Sequence, residues 1–182
     1  MQTLGSVAEK IIQGGVGVIP TDTIYGIVAS ALHPEAVGRI YQIKGRESTK
    51  PFVVIVSEYD QLSGLGIELN RPMRDALEKI WPAAVSVILP CHDDMLSYLH
   101  RGTNSLAVRM PAQSQLISLL AATGPLVATS ANISGQEALS TMDEVCAYLP
   151  NLDFYISGAT GTSASRLVMM NSDGQIESVV RS

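Results

Sequence analysis

Four short stretches of this chain gather side chains that bind anions or share protons. The first is P-T-D-T-I-Y-G at 20–26, where Thr21, Asp22, Thr23 and Tyr25 present hydroxyl and carboxylate groups between two apolar runs. The second is K-G-R-E-S-T-K-P at 44–51, which places Lys44, Arg46 and Lys50 within seven residues of a chain that is only 16% charged. A helix dipole alone favours cations at a helix C-terminus. Arg also supplies a planar fork and Lys a mobile point charge, so this cluster reads as a phosphate clamp. The third is S-L-A-V-R-M-P at 105–111, an apolar run that ends on Arg109. A guanidinium at the end of a buried strand is costly unless an anion meets it, either a neighbouring carboxylate or a substrate carboxylate or phosphate. The fourth is G-P-L-V-A-T-S-A-N-I-S-G at 124–135, a short buried strand that opens at Thr129 into Ser130, Ala131, Asn132 and Ser134. Open α/β sheets bind their ligands at strand ends of this kind, although the same residues also serve plain turns.

Other chemistries are excluded by what these stretches lack. There is no G-x-x-x-x-G-K-[ST] and no G-x-G-x-x-G after a strand, so a nucleotide site here is neither a P-loop nor a Rossmann site. No G-x-S-x-G occurs, and the three histidines are scattered, so no nucleophile–base pair is evident. His92 and His100 have no partners at a metal-ligand spacing and read as surface residues. Cys91 and Cys146 form no C-x-x-C and read as small buried hydrophobes rather than a disulfide or zinc pair. The net charge of −5 argues against blanket binding to nucleic acid, not against a local basic patch. No apolar run approaches the length of a membrane span and no basic-then-apolar leader opens the chain, which predicts a soluble cytoplasmic protein.

The elements that must position these residues follow from periodicity. Helices are predicted at 3–13, from 34 up to the 44–51 loop, at 70–80 and at 113–122, with a short one within 92–99. Thr141 to Glu144 has the form of a capping box opening a helix that ends near 149–150. Strands are predicted at 16–19, 27–32, 52–56, 85–89, 105–108, 126–128, 154–156, 167–170 and 176–180, the last two joined by a hairpin at Asp173-Gly174. The Ser/Gly/Thr run 157–165 reads as a mobile loop or a lid over a site. Strands and helices alternate, so 1–182 is expected to be a single α/β domain with a twisted, mixed central sheet, helices packed on it, and an open basic ligand groove. Residue chemistry reaches a hydroxyl-lined anion pocket and does not name a reaction.

The four motifs, in this order and spacing, resemble the YrdC-like threonylcarbamoyl-AMP synthase family in its short form. The likeness is strongest over 14–135. It implies that L-threonine, bicarbonate or CO2, and ATP with Mg2+ are combined into threonylcarbamoyl-adenylate, releasing pyrophosphate, with no tightly bound organic cofactor. Partner proteins then pass the group to the adenosine beside the anticodon of certain tRNAs. By the same resemblance, Thr23, Lys50, Arg109, Thr129 and Ser165 hold threonine. Lys44, Arg46, Ser105, Ser130, Asn132 and Arg181 surround ATP, with Ala131 contributing backbone. Lys44 and Arg46 stabilise charge, and no side-chain nucleophile or protein-held metal is expected. The chain departs from the family pattern at W-P-A-A (81–84), at Ser157-Gly158-Ala159 and at Ser165-Arg166. An alternative from another class is a module for double-stranded RNA or tRNA, or for ribosome maturation, that uses the basic groove without catalysis. Its weakness is the acidic charge and the scarcity of aromatic residues, two Phe and one Trp. A carbamoyl-transfer domain of the hydrogenase-maturation type is a third reading, usually set within much longer chains.

Overall fold

The fold is described from a computed structural model that covers residues 3–181, with the side chain of Arg181 outside the described set. The apolar runs become β1 (Gly17–Ile19), β2 (Gly26–Ser30), β3 (Val53–Ile55), β4 (Val85–Pro90), β5 (Ser105–Arg109), β6 (Leu126–Ser130), β7 (Phe154–Tyr155), β8 (Arg166–Met170) and β9 (Ile176–Arg181). The helices are α1 (Leu4–Ile12), α2 (Pro34–Lys44), α3 (Asp60–Ser63), α4 (Arg71–Leu77), α5 (Ser97–His100), α6 (Ser114–Thr123) and α7 (Met142–Tyr148). Their ends follow local chemistry. Asn70 caps α4 by accepting from the Met73 N–H at 2.9 Å, and Thr141 and Glu144 complete the expected capping box on α7.

All nine strands among the described residues join one sheet in the order β7-β1-β2-β6-β3-β5-β4-β8-β9. The sheet is mixed. β1/β7, β3/β5 and β4/β8 run parallel, and the other neighbours run antiparallel, including the C-terminal hairpin β8/β9. β3, the run read as covered on both faces, lies in the middle of the sheet, as a strand without polar alternation requires. Its Val54 enters one core with α2 and α4, and its Ile55 enters a second core with α1 and α6. Successive side chains of a strand face opposite ways, so these two cores are the two sides of the sheet.

Three expectations change. β6 extends through Ser130 instead of ending at Ala128, because Thr129 and Ser130 pair with Ile27 and Gly26 of β2. His100 is buried, not on the surface: it ends α5, and its Nδ1 accepts from the Gly102 N–H at 3.2 Å as the chain folds back over it. Cys91 is buried as expected, whereas Cys146 is exposed on α7. No helix among the described residues is long and apolar enough to cross a membrane.

Candidate functional site

A cleft of about 220 Å³ opens on the sheet face, floored by Gly26, Ala107 and Ala128. The register sets Ala128 and Ala107 on either side of Val53, so short side chains flank the middle strand of the three. That leaves a hollow where larger residues would fill the face.

One wall is the turn 20–25. The Thr21 hydroxyl lies 2.6 Å from the Ile24 carbonyl and 2.8 Å from the Thr23 hydroxyl, which folds the turn over itself with both side chains in the cleft lining. Asp22 reaches across to Arg109 at the end of β5, with Asp22 Oδ1 2.6 Å from Arg109 Nη1 and the side chains only 12% and 4% exposed. Of the anions anticipated for Arg109, the carboxylate of the chain itself is therefore present. A guanidinium carries five donors in a fork, and Arg109 still lines the cleft beside this pair. Ser165, also in the lining, shares a 2.9 Å hydroxyl contact with the buried Ser86 of β4.

The loop 157–165 packs onto this wall. The Tyr25 hydroxyl donates to the Gly158 carbonyl at 2.8 Å and accepts from the Gly158 N–H at 3.2 Å. A side chain at Gly161 would come within 2.6 Å of the Asp22 carbonyl oxygen and 2.7 Å of the Thr23 carbonyl oxygen. The loop thus covers the turn at backbone-to-backbone distance, an approach that only glycine permits.

A second wall of the cleft is built by the end of α2 and the 130–136 loop, whose Ala131 N–H donates to the Tyr25 carbonyl at 2.9 Å. Gly45 adopts a left-handed φ of 57°, which ends α2 and sends Lys44 and Arg46 in different directions. Arg46 lines the cleft, held by donating from Nε to the Lys50 carbonyl at 3.2 Å and from Nη2 to the Pro51 carbonyl at 3.3 Å. Its guanidinium carbon sits 5.3 Å from the Phe52 ring centre. Its Nη1 makes no hydrogen bond to the described residues, which leaves a charged donor at the mouth.

Lys44 departs from the clamp predicted for it. Its side chain is 2% exposed, and Nζ donates to the Ser130 carbonyl (2.6 Å), the Asn132 carbonyl (2.8 Å) and Asn132 Oδ1 (2.7 Å). An ammonium has three donors, and all three are taken. The same loop returns a bond from the Ser134 N–H to the Lys44 carbonyl at 3.0 Å. Ser130 Oγ donates to Asn132 Oδ1 at 2.6 Å, and Asn132 Nδ2 to the Gln136 carbonyl at 2.5 Å. Lys44 therefore shapes the Ser130–Ala131–Asn132 backbone from beneath. Burial, with the Arg46 charge adding to it, pushes its pKa down to about 8.

The remaining expectations divide. Thr23, Arg46, Arg109, Thr129, Ser130 and Ser165 come together around the cleft. Ala131 and Asn132 are buried in the loop behind it. Ser105 begins β5, two residues before the floor residue Ala107, and so faces the same side of the sheet. Lys50 is not brought in. It is exposed and pairs with Glu47 at 2.9 Å, three residues earlier in the same turn, and its carbonyl rather than its ammonium serves the site. The nucleotide role expected of Arg181 lies outside the described side chains. Asp22 and Tyr25, left without roles by sequence, prove to brace Arg109 and the 157–165 loop.

No group of three His, Cys, Asp or Glu side chains that could hold a metal occurs among the described residues. The cleft instead combines guanidinium groups, hydroxyls and a shaped backbone loop on a floor of small residues. Such a lining suits a polar, anionic ligand, and it lies on an α/β protein with a mixed central sheet. The chain belongs to the Sua5–YciO–YrdC family, whose model, described as Telomere recombination, matches residues 9–181. It is 35% identical over 161 residues to the threonylcarbamoyl-AMP synthase of Nitrosococcus oceani, covering 86% of each chain. It is 32% identical over 157 residues to that of Bacillus subtilis, covering 85% of this chain and 44% of the relative. The chain thus spans less than half the length of the Bacillus relative. Among solved structures, Pyrococcus abyssi Sua5 complexed with L-threonine superposes with a TM-score of 0.84 at 27% identity, over 92% of this chain and 50% of that one. Escherichia coli YciO shares the fold, with a TM-score of 0.83 at 23% identity over 98% and 87% of the two chains.

Proposed function

We propose that this chain is a threonylcarbamoyl-AMP synthase that joins L-threonine, CO2 and MgATP. The supporting observation is the make-up of the cleft. Arg109, Thr23 and Ser165 share its lining with Arg46 and with Ser130, which opens the Lys44-shaped Ser130–Asn132 loop, over a floor of small residues. A carboxylate is held by the guanidinium of Arg109, and Thr23, Thr129 and Ser165 supply hydroxyl contacts to the amino acid. The triphosphate lies toward Arg46, Ser105 and the 130–132 backbone.

In the first step the threonine amine adds to CO2 and loses a proton, giving a carbamate. A carbamate oxygen then attacks the α-phosphorus of ATP, the bond from that phosphorus to the bridging oxygen breaks, and pyrophosphate leaves with Mg2+. Two anions meet in this step. Arg46 offsets their repulsion and the charge that develops on the leaving group. The cleft carboxylate Asp22 is bonded to Arg109, and Mg2+ enters with the nucleotide as MgATP. No protein nucleophile takes part, and alignment of the two substrates supplies most of the rate. The 157–165 loop, docked on the 20–25 turn, keeps water from the mixed anhydride. The adenylate passes to partner proteins that modify tRNA in the cytoplasm, where ATP and tRNA meet.

The test is pyrophosphate release from MgATP and bicarbonate, with and without L-threonine, using glycine as control. Release that requires threonine supports the reading. Purified protein that binds tRNA with steep salt dependence and turns over no ATP would replace it with an RNA-binding role.

A further inference from the structure

We infer that Thr23 acts in the cleft as a one-way hydrogen-bond acceptor, set in that polarity by Thr21, and reads an N–H or O–H donor on the amino-acid substrate. The inference rests on the proposed function and assigns a task among its threonine-binding residues.

The polarity follows from a count of protons. Thr21 Oγ1 lies 2.6 Å from the carbonyl oxygen of Ile24, and a carbonyl cannot donate. A hydroxyl has one proton, so the proton of Thr21 is committed to Ile24. The 2.8 Å contact between the Thr21 and Thr23 hydroxyls then has a single possible donor, Thr23. The reverse arrangement would set two oxygen lone pairs against each other at 2.6 Å. The backbone N–H groups of Thr23 and Ile24 also point at Thr21 Oγ1, each at 3.2 Å, so that this oxygen is fixed from several directions. Both threonines are buried within the cleft lining, where bulk water does not scramble the order.

With its proton used inside the turn, Thr23 has only lone pairs to offer a ligand. Arg109, in the same lining, has only donors to offer. A ligand that spans both must present an anion to Arg109 and a donor to Thr23. An amino acid does this with its carboxylate and either its amine or a side-chain hydroxyl, and both groups keep a proton after the amine becomes a carbamate. A dicarboxylate of similar size would set an acceptor against Thr23 and is disfavoured. Thr23 touches the substrate in this account, and Thr21 is a positioning residue.

The experiment measures KM for L-threonine, KM for ATP and kcat in wild type, Thr21→Val, Thr21→Ser and Thr23→Val, with urea midpoints as a check on folding. Thr21→Val keeps the shape but frees the Thr23 proton. It should raise the threonine KM by about 3- to 10-fold, the worth of one neutral hydrogen bond, and leave the ATP KM unmoved. Thr21→Ser restores the proton and should return KM to within about 2-fold of wild type. Thr23→Val leaves the substrate donor unpaired and should cost about 10-fold or more. Repeating the series with L-2-aminobutyrate, which lacks the hydroxyl, identifies the donor. An equal loss assigns the amine, and a loss confined to threonine assigns the hydroxyl. A Thr21→Val protein with normal threonine KM, or a Thr21→Ser protein as poor as Thr21→Val, would overturn the inference while leaving the synthase intact. Wild-type protein that does not use threonine would overturn the proposed function, and this inference with it.

Discussion

Lys44 and Arg46 stand two residues apart in one basic motif, yet the structure gives their removal different consequences. Lys44→Met deletes three hydrogen bonds, to the Ser130 carbonyl, the Asn132 carbonyl and Asn132 Oδ1, from a side chain that is 2% exposed. Bonds to a charged donor are worth roughly 1.5–3 kcal/mol each. Against them stands the cost of burying the ammonium. A pKa lowered from 10.5 to about 8 sets that cost near 3 kcal/mol at about 1.4 kcal/mol per unit. Substitution relieves the cost but strands three acceptors, and the balance favours a net loss of about 2–4 kcal/mol in unfolding free energy. Arg46→Ala removes two bonds near 3.3 Å and a ring contact from a half-buried side chain at the cleft mouth, and should cost at most about 1 kcal/mol. Its effect belongs to the chemistry, a fall in kcat/KM of more than about 10-fold. Urea denaturation and pyrophosphate release on both variants separate the two roles. A Lys44→Met protein as stable as wild type but inactive would refute the structural assignment and make Lys44 a direct phosphate ligand.

Three further outcomes follow from the same geometry. Because the folded-state pKa of Lys44 lies near 8, below its ordinary value of 10.5, the unfolded chain binds more protons between these limits. Stability from this group therefore rises with pH across that window, by roughly 1 kcal/mol from pH 7 to pH 9, and the rise should be absent in Lys44→Met, so that it appears as the difference between wild-type and variant urea curves. Asp22→Asn removes the Asp22 carboxylate from Arg109 at a nearly buried position, and should lower stability by about 3 kcal/mol and weaken threonine binding, read by denaturation and calorimetry. Gly161→Val forces a side chain against the carbonyls of Asp22 and Thr23. It should lift the 157–165 loop, lower kcat/KM for threonine by about 10-fold or more, and increase pyrophosphate release uncoupled from recovered adenylate.

The sheet was legible because its evidence is local. The F-V-V-I-V run announced a strand covered on both faces, and β3 occupies the centre of the sheet. Thr141 and Glu144 announced a helix start, since both partners of a capping box lie within one turn. The site was legible as residue types and less so as contacts. Lys44 meets the 130–132 loop across 86 residues of sequence, and Arg109 meets Asp22 across 87. Neither pairing leaves a periodic trace. The inward turn of Lys44 depends on its place in the last turn of α2, just before the left-handed Gly45, so a basic motif that reads as one clamp divides into a buried brace and a half-buried arginine in the cleft lining. His100 shows the same limit: a polar residue at a short helix end reads as surface until the returning chain covers it.

The measurement that bears most directly on the proposed activity is mass spectrometry of the product formed from L-threonine, MgATP and carbon-13 bicarbonate. The account predicts an adenylate that carries the labelled carbon between threonine and AMP, absent when threonine is omitted and depleted in Arg46→Ala. Conversion of ATP without incorporation of the label, or an adenylate of threonine lacking the extra carbon, would contradict it.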